Sequence, residues 1–80
     1  MPQSIRWLDA AWAQLLALPD VLYKEGLAAA AALMMDPFPE DARPDPELPD
    51  TYLLERGHVR LFYRVVGGTE VDIAGIWPNS

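Results

Sequence analysis

Ten residues near the middle of the second half of this chain hold most of its chemistry. Glu55, Arg56, His58, Arg60, Phe62 and Arg64 lie between positions 55 and 64. Arginine stays protonated, and its planar fork suits an anionic oxygen pair. Histidine is the side chain that ordinarily titrates near neutrality, and His58 is the only one here. A carboxylate, an imidazole and three guanidinium groups can together bind an anion and move a proton. The chain has no cysteine, which excludes disulfides, thiolate catalysis and cysteine-ligated zinc. One histidine cannot build a His-rich metal centre, so no metal and no cofactor is expected.

These residues sit in a chain of 80, with 6 basic and 12 acidic residues and a net charge of −6. Taken whole, that charge opposes nucleic-acid binding, which rests on phosphate neutralisation. The charge is uneven, however. From Asp36 to Asp50, six acids (Asp36, Glu40, Asp41, Asp45, Glu47, Asp50) face one base, Arg43, so this segment carries −5. From Thr51 to Val66, three arginines face one glutamate, a local excess of +2. A basic surface is therefore expected on the C-terminal half.

A chain this short forms one domain, 1–80, and buries only about 60% of its unfolded surface. Two-domain enzymes and TIM barrels are excluded by length. Hydrophobic residues make up 51% and charged residues 22%, which argues for a folded chain. The longest apolar run, Leu27 to Met35, falls well short of the roughly 20 residues of a membrane span. No export signal is visible, so no membrane association is expected and the cytoplasm is the expected location.

Several elements must position the chemical residues. Ser4 to Leu8 reads as a strand bounded by Pro2 and Asp9. Asp9 is expected to cap a helix to about Leu18, with Leu8, Trp12, Leu15 and Leu16 as its apolar stripe. Pro19 interrupts, and Asp20 is expected to cap a second helix from Val21 to Met35. Its inner face would be Tyr23, Leu27, Ala30 or Ala31, and Met34. Asp36-Pro37 ends that helix. The acidic loop 36–50 holds five prolines and is expected to run extended as a solvated connector. Thr51 to Arg56, Val59 to Val66 and Glu70 to Trp77 read as strands joined by turns at Gly57-His58 and Gly67-Gly68-Thr69.

The order is β-α-α-β-β-β, an α+β domain with a helical hairpin packed on an antiparallel sheet. The turns predict Glu55 opposite Arg60 and Arg64 opposite Asp72. The face under the helices would hold Tyr52, Leu54, Val59, Leu61, Tyr63, Val65, Val71, Ile73 and Trp77. The open face would hold Leu53, Glu55, His58, Arg60, Phe62, Arg64, Asp72, Ala74 and Ile76. A mixed arginine and aromatic face is a candidate binding surface. The plain alternative for Glu55 and Arg60 is a solvated cross-strand pair, worth about 0.2–1 kcal/mol.

The segments LMMDPFP, YLLERGHVRLFYRV and EVDIAGIW resemble the RelE/ParE superfamily of bacterial type II toxins. Asp36, Pro37, Pro39, Gly57, Arg60, Tyr63 and Val65 stand at matching places, and Gly57 to Val65 is the strongest part. The resemblance implies a microbial-ribonuclease-like fold, a cognate antitoxin, and mRNA cleavage that inhibits translation and arrests growth. It implies mRNA as substrate, on or off the ribosome, and operator DNA reached only through the antitoxin. RNA cleavage of this kind needs a base for the 2′-hydroxyl, positive charge on the phosphate and an acid for the 5′-oxygen. On the resemblance Arg60 supplies the charge, Glu55 or His58 handles protons, and Arg56, Arg64 and Phe62 hold RNA. The family's ribonucleases usually carry a basic or histidine residue after the last strand, where this chain reads GIWPNS. That departure supports the alternative expectation: a toxin-like binding protein without nuclease activity, either gyrase-directed and ParE-like or a degenerate RelE-like chain.

Overall fold

Alternating apolar residues and two glycine turns build most of the sheet in this computed structural model, which describes residues 3–79. The elements are β1 (Ser4–Trp7), α1 (Asp9–Leu16), α2 (Asp20–Met35), β2 (Arg43–Pro44), β3 (Tyr52–Arg56), β4 (Val59–Val66) and β5 (Glu70–Pro78). Pro2 and Ser80, which entered the expectations above, lie outside the described residues. Both helices pack on one face of a five-stranded sheet of order β1-β5-β4-β3-β2. The sheet is mixed rather than wholly antiparallel, because β1 joins β5 in parallel. The Pro-rich loop also contributes a two-residue strand, β2, paired to β3.

The helix starts differ slightly from expectation. Leu8 and Pro19 occupy the cap positions with no side-chain cap, and Asp9 and Asp20 are the first helical residues. Leu8 is still tied to the sheet through its N–H to the Ile73 carbonyl, 3.1 Å, so the helix can begin only after it. A carboxylate in the first turn still favours the positive end of each helix.

The buried helix faces are also rotated. In α1 the buried residues are Ala11 and Leu15, whereas Trp12 and Leu16 are exposed. In α2 they are Gly26, Ala29, Ala30 and Leu33, whereas Leu27 and Met34 are exposed. Gly26 gives the reason. A Cβ there would lie 2.6 Å from Ile76 Cδ1 and 3.1 Å from Leu15 Cδ1. The helix approaches so closely that its row of small residues must face inward, and the bulky ones turn to the flanks.

Both hairpin registers match the expected ones. Arg56 faces Val59, Glu55 faces Arg60, and Arg64 faces Asp72. One irregularity corrects the face assignment. Phe62 pairs with Gly75 but Tyr63 pairs with Ile73, so Ala74 is an extra residue in β5. An extra residue reverses the alternation beyond it. Ile76 therefore lies in the core, 1% exposed, and Trp77 lies on the open face, 44% exposed. Gly75 makes this arrangement fit, since a Cβ there would overlap the Trp77 ring. The indole lies beside Phe62, ring centroids 5.0 Å apart and edge to face.

The acidic loop is docked rather than free. Asp45 Oδ1 accepts the N–H groups of Glu47 (2.8 Å) and Leu48 (3.2 Å), and Asp45 N donates to the Thr51 carbonyl (2.8 Å). Tyr63 donates its hydroxyl proton to the Pro37 carbonyl, 2.9 Å, and Phe38 packs edge-on against Tyr52.

Candidate functional site

The open sheet face carries Glu55 on β3, Arg60 on β4 and Trp77 on β5 in one cross-strand row. Glu55 and Arg60 are direct neighbours, yet their charged ends do not pair. Glu55 Oε1 pairs with Arg43 Nη2 from β2. Glu55 Oε2 accepts from Asn79 Nδ2 at 3.0 Å, and Asn79 Oδ1 accepts from Arg60 Nη2 at 3.3 Å. The four side chains thus form a line, Arg43, Glu55, Asn79, Arg60. The Nε of Arg60 is buried with no hydrogen-bond partner.

Next along β4 on the same face is an apolar groove of about 350 Å³, lined by Leu48, Thr51, Phe62, Arg64, Ala74 and Trp77. Arg64 is exposed and has no carboxylate partner among the described residues. Its strand partner Asp72 is taken by Arg6 of β1, with Nη2 to Oδ2 at 2.7 Å. That hydrogen bond, with the charges of Asp72 and Glu70, raises the Arg6 pKa above its ordinary value. Asp72 is buried, and its Oδ1 has no partner.

Two of the expected residues are engaged elsewhere. Arg56 makes a two-pronged pair with Asp41 of the loop, at 3.0 and 3.1 Å. The pairing raises the Arg56 pKa and holds the Asp41 carboxyl below its ordinary value. His58 belongs to the β3–β4 turn and faces α2. Its N–H donates to Glu25 Oε2 at 2.7 Å, and its Nδ1 lies 3.1 Å from Glu25 Oε1. The His58 backbone N–H is the main cause of a lowered Glu25 pKa. Gly57, at φ +57°, brings the turn so close that a Cβ would lie 2.9 Å from the Glu25 carboxylate.

The structure therefore brings Glu55 and Arg60 together, and Phe62 with Arg64, but not Arg56 or His58 with either pair. Arg43, Asn79 and Trp77 share the face and were not singled out as site residues from sequence. Arg43 stands out in the sequence as the one base of the acidic loop, but nothing there points to its pairing with Glu55. Asn79 follows Pro78, the ladder partner of Val59, so a ladder prolonged by one residue points to it. Among the described residues, no group of three or more His, Cys, Asp or Glu is arranged to hold a metal ion. No helix among them is long and apolar enough to cross a membrane.

No family model matches the chain, and no curated protein matches its sequence. Solved structures do match. The toxin-antitoxin complex RelBE2 from Mycobacterium tuberculosis contains a chain 27% identical, with TM-score 0.83, covering 98% of this chain and 99% of that one. The archaeal RelE–RelB complex from Pyrococcus horikoshii matches at TM-score 0.81 and 21% identity, covering 100% and 98%. A double arginine-to-alanine mutant of E. coli RelE in the free state matches at TM-score 0.80 and 16% identity, covering 98% and 84%. In chain path this chain agrees from end to end with these structures, and its fold is that of the RelE toxins.

Proposed function

We propose that this chain is the toxin of a toxin-antitoxin pair, neutralised by a cognate antitoxin, and that it acts as an mRNA endoribonuclease. The observation that carries the nuclease reading is the Glu55–Arg60 row on an uncovered sheet face, with Phe62 and Arg64 beside it. Glu55 takes the proton of the 2′-hydroxyl. Arg60 stabilises the charge that builds on the phosphate, where a preorganised cation counts most. The 5′-oxygen receives its proton from solvent, since His58 is held at Glu25 on the side of α2. Phe62 and Arg64 hold the RNA, through ring stacking and phosphate charge. Arg56 contributes to RNA attraction if it leaves Asp41. On this reading the chain works in the cytoplasm, meets mRNA on or off the ribosome, and reaches operator DNA only through the antitoxin. The complexes of the M. tuberculosis and P. horikoshii relatives support the antitoxin partner.

A second reading has its own support. Both oxygens of Glu55 are already engaged, and Arg56 and His58 are held by carboxylates. These engagements favour a binding protein that retains the toxin fold without cleavage, whether gyrase-directed or degenerate. Expression without antitoxin separates the two. Growth arrest with new mRNA 5′ ends in primer extension, relieved by Arg60→Ala, supports the nuclease. Arrest with intact mRNA and inhibited gyrase supports the second reading.

A further inference from the structure

The line Arg43, Glu55, Asn79, Arg60 holds one neutral member, and its chemistry is specific. A guanidinium can only donate hydrogen bonds and a carboxylate can only accept them. An amide does both, from two different atoms. Between Glu55 and Arg60 its orientation is forced: Nδ2 toward the carboxylate at 3.0 Å, Oδ1 toward the guanidinium at 3.3 Å. The backbone fixes the amide as well. Asn79 N donates to the His58 carbonyl at 2.7 Å, which prolongs the β4–β5 ladder past Pro78.

We propose that Asn79 is a positioning residue of the nuclease site, holding the Glu55 carboxylate and the Arg60 guanidinium at a fixed separation. The inference rests on the nuclease reading given above. Its physical motive is that the two charged groups are strand partners and, without a spacer, would close into a direct ion pair. A two-pronged arginine–carboxylate pair ties up both oxygens and two N–H groups. The direct charge pairing would make the carboxylate a weaker proton acceptor and turn the guanidinium fork away from substrate. With the amide between them, each Glu55 oxygen uses one lone pair, for Arg43 and for Asn79, and keeps another. Arg60 gives only one nitrogen to Asn79 and keeps its second terminal nitrogen. Asn79 itself exchanges no proton and touches no reacting atom.

The test uses the purified full chain and its Asn79→Ala and Asn79→Asp variants. Cleavage of an end-labelled mRNA is measured with ribosomes and without them. Binding is measured separately with an all-2′-deoxy oligonucleotide of the same sequence. Asn79→Ala is expected to lower kcat about ten- to a hundredfold, the scale of a misplaced catalytic group. KM and binding of the deoxy oligonucleotide should stay within about threefold, because the phosphate-binding groups remain. Asn79→Asp matches the native residue in size, yet it should lose as much, because a second carboxylate repels Glu55. In amide NMR spectra, Glu55→Gln should shift the Asn79 side-chain NH2 signals, whether or not RNA is cleaved. Native kcat in either Asn79 variant overturns the inference, and so do unmoved NH2 signals in Glu55→Gln. If the native chain cleaves nothing but its NH2 signals respond to Glu55→Gln, the nuclease reading has failed. The positioning role in catalysis falls with it, while the spacer between the two charges stands.

Discussion

The two faces of the sheet are held in different ways. Under the helices, Leu54, Val59, Leu61, Tyr63, Val71, Ile73 and Ile76 are all buried. Each such side chain contributes about 1.5–3 kcal/mol by leaving water. Among the described residues, no helix covers the open face, and only the end of the acidic loop, at Leu48 and Thr51, borders it. It is held by side-chain pairs: Phe62 on Trp77, Arg6 on Asp72, and the line from Arg43 to Arg60. Cross-strand pairs contribute about 0.2–1 kcal/mol each. The difference implies a division of labour. One face specifies and stabilises the fold, so the other can carry charged groups without risking it.

The sharpest way to break this comparison is at neighbouring residues of β5. Ile76→Ala should cost about 2–5 kcal/mol, because it opens a cavity between α2 and the sheet. Trp77→Ala removes a larger side chain but from a half-exposed place, and should cost clearly less. Urea unfolding of both variants checks the order. A larger loss for Trp77→Ala would mean that the Ala74 bulge is absent and the strand keeps simple alternation.

That bulge marks where sequence reading stopped. The hairpin registers were legible because glycines at 57, 67 and 68 fix the turns and alternation fixes the faces. The register break between Phe62 and Tyr63 was not, because it depends on the Trp77 ring lying over Gly75, a contact between the strand and its own later residue. The helix faces were misjudged for a similar reason. Apolar bulk pointed to Leu27 and Met34, while close approach at Gly26 selected the small residues. Ion pairs were the least legible. Glu55 does face Arg60 and Arg64 does face Asp72. Yet long arginine side chains choose among several acids, and the parallel placement of β1 put Arg6 beside Asp72. The sequence offered no cue for that neighbour. Arg60 stands out because it lies in the best-matching segment, and Glu55 because the hairpin turn places it opposite Arg60; Asn79 gives no such signal, because an amide is neither acid nor cation.

Smaller effects sharpen the comparison at the edges of the two faces. Tyr63 belongs to the covered face, but its hydroxyl reaches the loop carbonyl of Pro37. Tyr63→Phe should cost about 1 kcal/mol, the usual net worth of one hydrogen bond. Burial pushes the Tyr63 phenol up to about 12. A phenol in the unfolded chain titrates near 10. The stabilisation is therefore complete below about 10 and is lost as pH rises toward about 12. Melting of the native chain and Tyr63→Phe across that range should converge. On the open side, Arg56→Ala breaks the pair with Asp41. It should cost about 1 kcal/mol or less, and salt should shrink the difference. A loss equal to that of Ile76→Ala would mean that the loop, and not the helix-covered face, limits stability.

The smallest effect lies at Glu25, the point where α2 reaches the β3–β4 turn and so ties the covered face to the strands that carry Glu55 and Arg60. Its carboxylate accepts the His58 N–H, and the ring of His58 lies within hydrogen-bond distance. Because the folded state holds the Glu25 carboxyl below its ordinary value, the unfolded chain binds the proton more tightly. The contribution is present above the ordinary carboxylate pKa and disappears as pH falls through the lower, folded one. Glu25→Gln removes the charge but keeps the size. Its melting temperature should lie below that of the native chain at pH 6–7, and the gap should close on acidification. Thermal melts of both proteins between pH 7 and pH 3 measure this directly. A gap that stays constant through the acid range would mean that the Glu25 charge adds nothing to the turn, and that Gly57 and the strands alone hold His58 in place.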